Sequence, residues 1–256
     1  MNYKKHIFDI GAYDGLDGII MAIKNPDILI HAFEANPEQI KKINFNKKKI
    51  EKFIQQKIKN YKINNLAVSN KNSYYQFNIA KNPTVSSLNK FSINLDKTWP
   101  GYKDAHCTVI KKIKVKCITL NKYCSENSIK EIDYLHIDTQ GSDLKVLKGL
   151  KNKIHIVKKG VLEAAVNKKK SLYENSNTIN EAKKFLASNN FSISKIEPVD
   201  NNIKNEKNIF FYRKNSKLNR NIIIKYNHRY FYRIIHDKTN FKDRVLNNIQ
   251  IFLNKL

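Results

Sequence analysis

The feature that most constrains the fold is a regular alternation of short apolar segments with segments of helical periodicity. Residues 7–10 and 28–34 are strand-like, and residues 16–24 between them carry one apolar helical face. Pro26 should end this helix, because proline cannot continue one. Such alternation predicts an α/β fold, with a mostly parallel sheet covered by helices on both faces.

The alternation continues to about residue 213. Further strands are predicted at 63–69, 74–80, 113–118, 132–138 and 160–166, with a closing hairpin at 191–196 and 208–213. Further helices are predicted at 36–54 (with a break near Asn46), 119–124, 142–150 (capped by Ser142) and 177–189. Residues 81–108 should form a long loop, and such loops in compact domains often carry function. We therefore predict one domain over residues 1–215 and a separate segment over residues 216–256.

A glycine-containing turn, Asp9-Ile10-Gly11-Ala12-Tyr13-Asp14-Gly15, joins the first strand to the first helix. Gly11 would let the backbone pass close to a ligand, and Gly15 would allow tight packing of the strand against the helix. Taken alone, the pattern is equally typical of a tight turn without a ligand.

The second predicted strand ends in an acidic residue, Glu34. A carboxylate at this position can accept hydrogen bonds from the ribose hydroxyls of a nucleoside cofactor. A dinucleotide fingerprint would need a glycine where Tyr13 stands, and Asp9 and Asp14 would repel a pyrophosphate. Acidic residues suit a sulfonium and a free amino group, which favours S-adenosylmethionine over NAD.

The most specific motif is the segment 132–149, IDYLHIDTQGSDLKVLKG. It resembles the signature of FkbM-type methyltransferases, in which a strand ending in Ile-Asp is followed by a small residue, Glu or Gln, Gly, and a helix ending in Leu-Lys-Gly. The turn at 9–15 and the segments 33–37, 66–69, 86–88 and 161–163 are similar to further landmarks of that family, in the same order. The resemblance covers roughly residues 6–213.

The resemblance implies a class I methyltransferase fold, which is Rossmann-like with a mostly parallel seven-stranded sheet. It also implies methyl transfer from S-adenosylmethionine to a hydroxyl oxygen, and we expect a sugar of a surface glycan or a related small molecule as acceptor. The residues it implies for cofactor binding are Asp9, Gly11, Ala12, Tyr13, Gly15, Glu34, Asn36, Ala67, Val68 and Asp138.

Methyl transfer to a hydroxyl requires a group that removes its proton. Many members of the family have Glu where this chain has Gln140, and an amide cannot serve as a base. The role therefore falls on Asp138, His136 or Glu163, with Asp138 favoured at the end of the central strand. No metal site is predicted.

A net charge of +26 suggests a nucleic acid as an alternative acceptor. Methyltransferases that act on base amino groups usually carry Asn/Asp-Pro-Pro-Tyr/Phe where this chain has Asp138-Thr139-Gln140-Gly141. Nucleic acid is therefore disfavoured. A non-catalytic binding protein on the same fold is a further alternative, although it would not need Asp9, Gly11 and Glu34 together.

The segment 216–256 is predicted to be a basic, aromatic, helical extension. All five arginines of the chain lie in its last 44 residues, whereas lysine is found throughout. Such a segment can lie on an anionic membrane surface, or it can pack on the domain or on a second subunit. The oligomeric state remains open.

The expected location is the cytoplasm, with peripheral contact at the inner membrane surface as a further expectation. No apolar stretch approaches the roughly 18 residues of a membrane span, and no secretory signal begins the sequence. Three cysteines without a CxxC pair favour reduced thiols.

Overall fold

The computed structural model describes residues 3–99, 101–199, 203–215 and residue 222. Its strands are β1 (Lys5–Ile10), β2 (Ile28–Phe33), β3 (Tyr61–Asn64), β4 (Ala67–Val68), β5 (Ser73–Ala80), β6 (Val109–Ile118), β7 (Tyr134–Ile137), β8 (Lys159–Ala165), β9 (Phe191–Pro198) and β10 (Glu206–Arg213). Its α-helices are α1 (Leu16–Lys24), α2 (Pro37–Ile54), α3 (Leu95–Thr98), α4 (Leu120–Glu126), α5 (Asp143–Lys148) and α6 (Ile179–Ser188).

Seven strands form the main sheet, in the order β3-β2-β1-β7-β8-β10-β9. Neighbouring strands are parallel except β10, which is antiparallel to both β8 and β9. The predicted mostly parallel sheet and its closing hairpin are thus confirmed. The strand order reverses between β1 and β7, and ligands in open α/β sheets bind beyond the carboxyl ends of the strands at such a point.

Helices cover both faces of this sheet, as predicted. Ile7 of β1 packs with α1 and α2 on one face, whereas Phe8 packs with α4, α5 and α6 on the other. Both side chains are fully buried. Because successive strand residues point to opposite faces, Asp9 shares the face of Ile7.

The strand predicted at 63–69 is in fact two strands in two sheets. β3 belongs to the main sheet, whereas β4 pairs with β6 in a separate three-stranded sheet of order β4-β6-β5. A tight turn separates them, in which Leu66 N–H donates to the carbonyl of Asn64 and the amide of Asn65 donates to the carbonyl of Glu34. Neither of these hydrogen bonds is evident from the apolar pattern of the sequence.

Two local predictions about helices were also wrong. Helix α2 continues through Asn46 without a break, because that buried side chain donates to the carbonyl of Asp14 and holds the helix against the first turn. Ser142 makes no capping hydrogen bond to α5; its hydroxyl instead accepts one from the Asn89 amide. The loop at 81–108 contains a 3₁₀ turn, Pro83–Val85, and the short helix α3.

The predicted helical extension, residues 216–256, lies outside the described residues except for one position. Ile222 is 6% exposed and packs in the core on the α1 and α2 face of the sheet. In the part of the chain that the structure describes, no helix is long and apolar enough to cross a membrane.

Candidate active site

A cavity of about 690 Å³ lies at the carboxyl ends of β1, β2, β7 and β8. This is the edge of the sheet at which the strand order reverses, and the volume falls in the range of sites for small molecules and cofactors. Every residue that the sequence analysis selected for the site lines this cavity, with the exception of Gly15.

The two glycines of the first turn are required by packing. Gly11 has φ +89°, and a Cβ on it would lie 1.8 Å from the carbonyl oxygen of Asp138. A Cβ on Gly15 would meet the Ile43 side chain at 2.7 Å. Gly11 therefore lets the ends of β1 and β7 approach each other beside the cavity, whereas Gly15 lets α1 and α2 approach each other behind it.

The carboxylate of Glu34, just after β2, binds the backbone of two segments: the turn after β1 and the start of α2. Its carboxylate oxygens accept from Tyr13 N–H at 2.9 Å and from Asn36 N–H at 2.8 Å. Burial raises the pKa of Glu34 to about 7, although these hydrogen bonds oppose the shift. The Asn36 side chain in turn accepts from Glu38 N–H as the N-cap of α2, which confirms the helix start expected from Asn36-Pro37-Glu38.

Asp9 and His136 form a pair across neighbouring parallel strands. They stand in register between β1 and β7, and His136 Nδ1 lies 2.8 Å from Asp9 Oδ1. Burial alone lowers the pKa of His136, but the hydrogen bond and charge of Asp9 outweigh burial and raise it to about 9. Its pairing with Asp9 therefore favours the imidazolium form of His136, which makes His136 a weaker candidate base than Asp138.

Asp138 lies just beyond the end of β7, and its carboxylate is held from one side. Gln140 Nε2 donates to Asp138 Oδ1 at 2.6 Å, and Gln140 Oε1 accepts from the Tyr173 hydroxyl at 2.8 Å. Burial raises the pKa of Asp138, against the opposing effects of the His136 charge and the Gln140 hydrogen bond. Gln140 therefore orients the carboxylate that the sequence analysis favoured as the base.

Asp138 does not cap the following helix. Asp143 accepts from Thr139 N–H at 2.9 Å and from Glu163 N–H at 2.7 Å, so it joins the turn after β7 to strand β8. The first turn of α5 is instead satisfied by Asn177, which accepts from Leu144 N–H. Burial together with the Asp138 charge raises the pKa of Asp143 to about 7.

The long loop predicted at 81–108 forms one wall of the cavity. Trp99 and Tyr102 line the cavity from this loop, and Ser87 donates from its hydroxyl to the carbonyl of Gln140 at 2.7 Å. The loop is thereby connected to the turn that carries Asp138. Its aromatic residues add to the apolar surface that Ile10 and Phe33 provide at the strand ends.

The sequence analysis missed two residues of this site, Glu206 and Tyr173. Glu206 begins β10, and because β10 is antiparallel to β8, its first residue lies at the carboxyl edge of the parallel strands. The predicted strand at 208–213 begins two residues after Glu206 and therefore did not include it. Tyr173 stands in a segment without periodicity, so no sequence signal pointed to it.

The cavity is acidic although the chain is strongly basic. None of the described residues that line it is lysine or arginine, whereas the chain contains 48 of these two types. The lining instead includes seven carboxylic acids: Asp9, Asp14, Asp17, Glu34, Asp138, Glu163 and Glu206. This charge distribution favours ligands that are cationic or rich in hydroxyl groups.

A protein-family comparison decides the identity of the domain. The model of the methyltransferase FkbM domain matches residues 9–193, from the end of β1 to the start of β9. The chain belongs to the FkbM methyltransferase family. Its α/β sheet is thus the sheet of an S-adenosylmethionine-dependent methyltransferase domain, and S-adenosylmethionine is the cofactor of the family.

Solved structures resemble this FkbM-family chain at low sequence identity. The methyltransferase FkbM from Methylobacillus flagellatus KT shares 11% identity and a TM-score of 0.49, over 82% of this chain and 43% of that one. The magnesium protoporphyrin IX methyltransferase from Synechocystis PCC 6803 with bound S-adenosylmethionine has 9% sequence identity and a TM-score of 0.44. The match covers 81% of this chain and 69% of that one. TrmK from M. capricolum with S-adenosylhomocysteine has 13% sequence identity and a TM-score of 0.42, over 84% of this chain and 65% of that one.

This chain spans less than half the length of the first of these structures. No curated protein matches the sequence.

Proposed function

We propose that this chain methylates a hydroxyl oxygen of a sugar or a related small polyol, with S-adenosylmethionine as the donor. One observation supports this proposal above all. The Asp138 carboxylate, at the end of the central strand and oriented by Gln140, lines a cavity that contains no lysine or arginine among the described residues.

The residues of the cavity fit S-adenosylmethionine. Two buried oxygens of lining residues, Asp9 Oδ2 and Gln39 Oε1, have no hydrogen-bond partner in the described part of the chain. A cofactor that brings an ammonium group, ribose hydroxyls and an adenine amine supplies donors for such acceptors. Glu34 at the end of β2 would hold the ribose, and the turn after β1 would surround the methionine part.

When bound, the cofactor supplies an electrophilic methyl group. Asp138 would accept the proton of the acceptor hydroxyl as the new C–O bond forms and the C–S bond breaks. A buried carboxylate with a raised pKa is a stronger base than an exposed one. The His136 imidazolium would stabilise the ionised form of Asp138, because its charge opposes the effect of burial.

The charge of the cavity supports a neutral or cationic acceptor. A nucleic acid or a phosphorylated acceptor would bring negative charge to a site lined by seven carboxylic acids. Trp99 and Tyr102 line the same cavity and can pack against the apolar faces of a sugar ring. Small-molecule sites commonly combine aromatic side chains with a few polar groups that orient the ligand. Contact of the 216–256 segment with an anionic membrane remains a prediction.

The proposal can be tested with Asp138→Asn and a panel of monosaccharide and disaccharide acceptors. S-adenosylhomocysteine formation measures turnover, and NMR of the product identifies the methylated atom. The variant should lose about 10²–10⁴-fold in turnover and retain its affinity for S-adenosylmethionine. Asp104→Asn, on the exposed surface of the long loop, is the matched control.

Two results would contradict the proposal. Methyl groups found on nitrogen or carbon would exclude hydroxyl transfer. An Asp138→Asn variant that turns over as fast as the wild type would exclude Asp138 as the base, and Glu163 would then be the remaining candidate of the three.

A further inference from the structure

A second pair of acidic residues lies in the cavity beyond Asp138. Glu163 of β8 and Glu206 of β10 both line the cavity. Glu206 pairs with Ala165 and Asn208 pairs with Glu163, so the two glutamates are diagonal neighbours on one face of an antiparallel pair. Diagonal neighbours lie about 7–8 Å apart, within reach of a ligand that lies between long side chains.

Glu206 is the more informative of the two because it is largely buried and lines the cavity. Its residue is 9% exposed, and its carboxyl oxygens have no hydrogen-bond or ion-pair partner in the described part of the chain. A buried carboxylate without a partner costs free energy, so natural proteins usually pair such groups. Since Glu206 lines the cavity, a ligand can provide the missing partner.

The surroundings of the pair add negative charge instead of neutralising it. Burial, together with the charges of Asp138 and Asp143, raises the pKa of Glu206 to about 7. Burial and the charges of Asp138, Asp143 and Glu206 also hold the pKa of Glu163 well above its ordinary value. A positive group that enters the cavity would lower the pKa of both carboxyl groups and favour their ionised forms.

Three kinds of ligand could satisfy these carboxyl groups: a metal ion, neutral hydroxyl groups or an ammonium group. The described residues contain no group of three or more His, Cys, Asp or Glu side chains that could hold a metal ion. Hydroxyl groups would supply donors but no charge. An ammonium group supplies both, and hydrogen bonds between ions are roughly twice as strong as those between neutral groups.

We propose that Glu163 and Glu206 form a subsite for a protonated amino group of the acceptor, which makes the acceptor an amino alcohol of the amino-sugar class. The inference rests on the proposed hydroxyl methylation, because that proposal assigns this part of the cavity to the acceptor. Trp99 and Tyr102 in the same cavity are consistent with it, since aromatic faces attract cations as well as sugar rings. On binding, the two glutamic acids release their protons to solvent and the ammonium keeps its own.

The test compares the smallest amino alcohol with its neutral analogue. Protein labelled with ¹³C at the glutamate carboxyl carbons and saturated with S-adenosylhomocysteine is titrated with 2-aminoethanol or with ethylene glycol. Wild type, Glu206→Gln and Glu163→Gln are compared, and the exposed Glu126 provides the control variant Glu126→Gln.

The amine should shift the Glu163 and Glu206 carboxyl signals saturably, with an affinity at least about tenfold higher than that of the diol. Each cavity variant should lose this binding, whereas Glu126→Gln should keep it. Two cavity variants are used so that a folding defect in one does not decide the result.

Several outcomes would overturn the subsite: absence of amine binding, equal affinity for amine and diol, or amine binding that persists in both cavity variants. Binding of Mg²⁺ at the same two carboxyl groups with exclusion of the amine would also overturn it. Amine binding without any methyl transfer to oxygen would refute the proposed function and leave the subsite standing. Methylation of an amino-sugar acceptor at a rate unaffected by Glu206→Gln would refute the subsite alone.

Discussion

Replacement of Gly11 by alanine should damage the fold as well as cofactor binding. A Cβ at this position would lie 1.8 Å from the carbonyl oxygen and 2.8 Å from the carbonyl carbon of Asp138. Because Cβ contacts below 3.0 Å essentially do not occur, the turn and the end of β7 would have to separate by about 1.2 Å. The sequence alone predicts that a side chain here obstructs the cofactor or strains the turn and leaves most of the fold intact.

The chain offers a matched control for the backbone conformation. Gly101 has φ +83°, close to the +89° of Gly11, but a Cβ on it would have no neighbour within 4 Å. Gly101→Ala should therefore lose only the cost of a left-handed backbone, about 1–2 kcal/mol. Gly11→Ala carries the same cost and must also displace hydrogen-bonded backbone, because Gly11 N–H donates to Phe33 and Asp138 N–H donates to Ile10.

The total loss for Gly11→Ala should reach roughly 4 kcal/mol, in the range reserved for severe steric defects. Urea unfolding of the wild type and both variants measures this loss, provided that the slope with denaturant stays constant. Calorimetric titration with S-adenosylmethionine should show greatly weakened binding for Gly11→Ala and near-normal binding for Gly101→Ala. Equal destabilisation of the two variants would refute the role of the contact with Asp138, and wild-type cofactor affinity in Gly11→Ala would exclude the turn from the cofactor site.

Two further predictions concern the buried carboxyl groups. Glu34→Gln should weaken S-adenosylmethionine binding by roughly 1.5–3 kcal/mol, the range for hydrogen bonds to a charged group. Calorimetry measures this loss of affinity. Unchanged affinity in a folded variant would exclude Glu34 from the ribose site. The folded pKa values of Glu34 and Glu206 are both raised to about 7 from an ordinary value of 4.5, so the folded state binds these protons more tightly than the unfolded state. The stability they contribute is complete below 4.5 and is lost as the pH rises through about 7. Thermal unfolding between about pH 5 and about pH 8 should therefore show a falling Tm for the ligand-free wild type and a smaller fall for Glu206→Gln, and parallel curves would show that Glu206 does not titrate in this interval.

The order of strands and helices could be predicted from the sequence because it depends on local periodicity. Helix α1 has the predicted bounds, and the closing hairpin pairs as expected. The predictions failed where a distant contact overrode the local pattern. Asn46 appeared to interrupt α2, but a hydrogen bond to Asp14, 32 residues away, keeps it buried within the helix.

The gathering of the candidate cofactor residues in one cavity could also be predicted, since they lie at the ends of neighbouring parallel strands. In a parallel sheet these ends meet at one edge, so Asp9, Glu34 and Asp138 had to be neighbours once the sheet was recognised. The sequence could not distinguish the glycines, because their roles depend on what faces them. Gly11 faces the backbone of Asp138, whereas Gly15 faces Ile43 and lies outside the cavity lining.

The fold class, the family and the edge of the sheet at which the cavity opens follow from the sequence, because motifs and periodicity are properties of short segments. The pairing of side chains from distant segments follows only from the tertiary structure. It places Asp9 against His136 across two strands, Tyr173 on Gln140, and Glu206 diagonally opposite Glu163. The pKa values of His136, Glu163 and Glu206 depend on burial and on charges brought from distant parts of the chain, and these exist only once the sheet has formed.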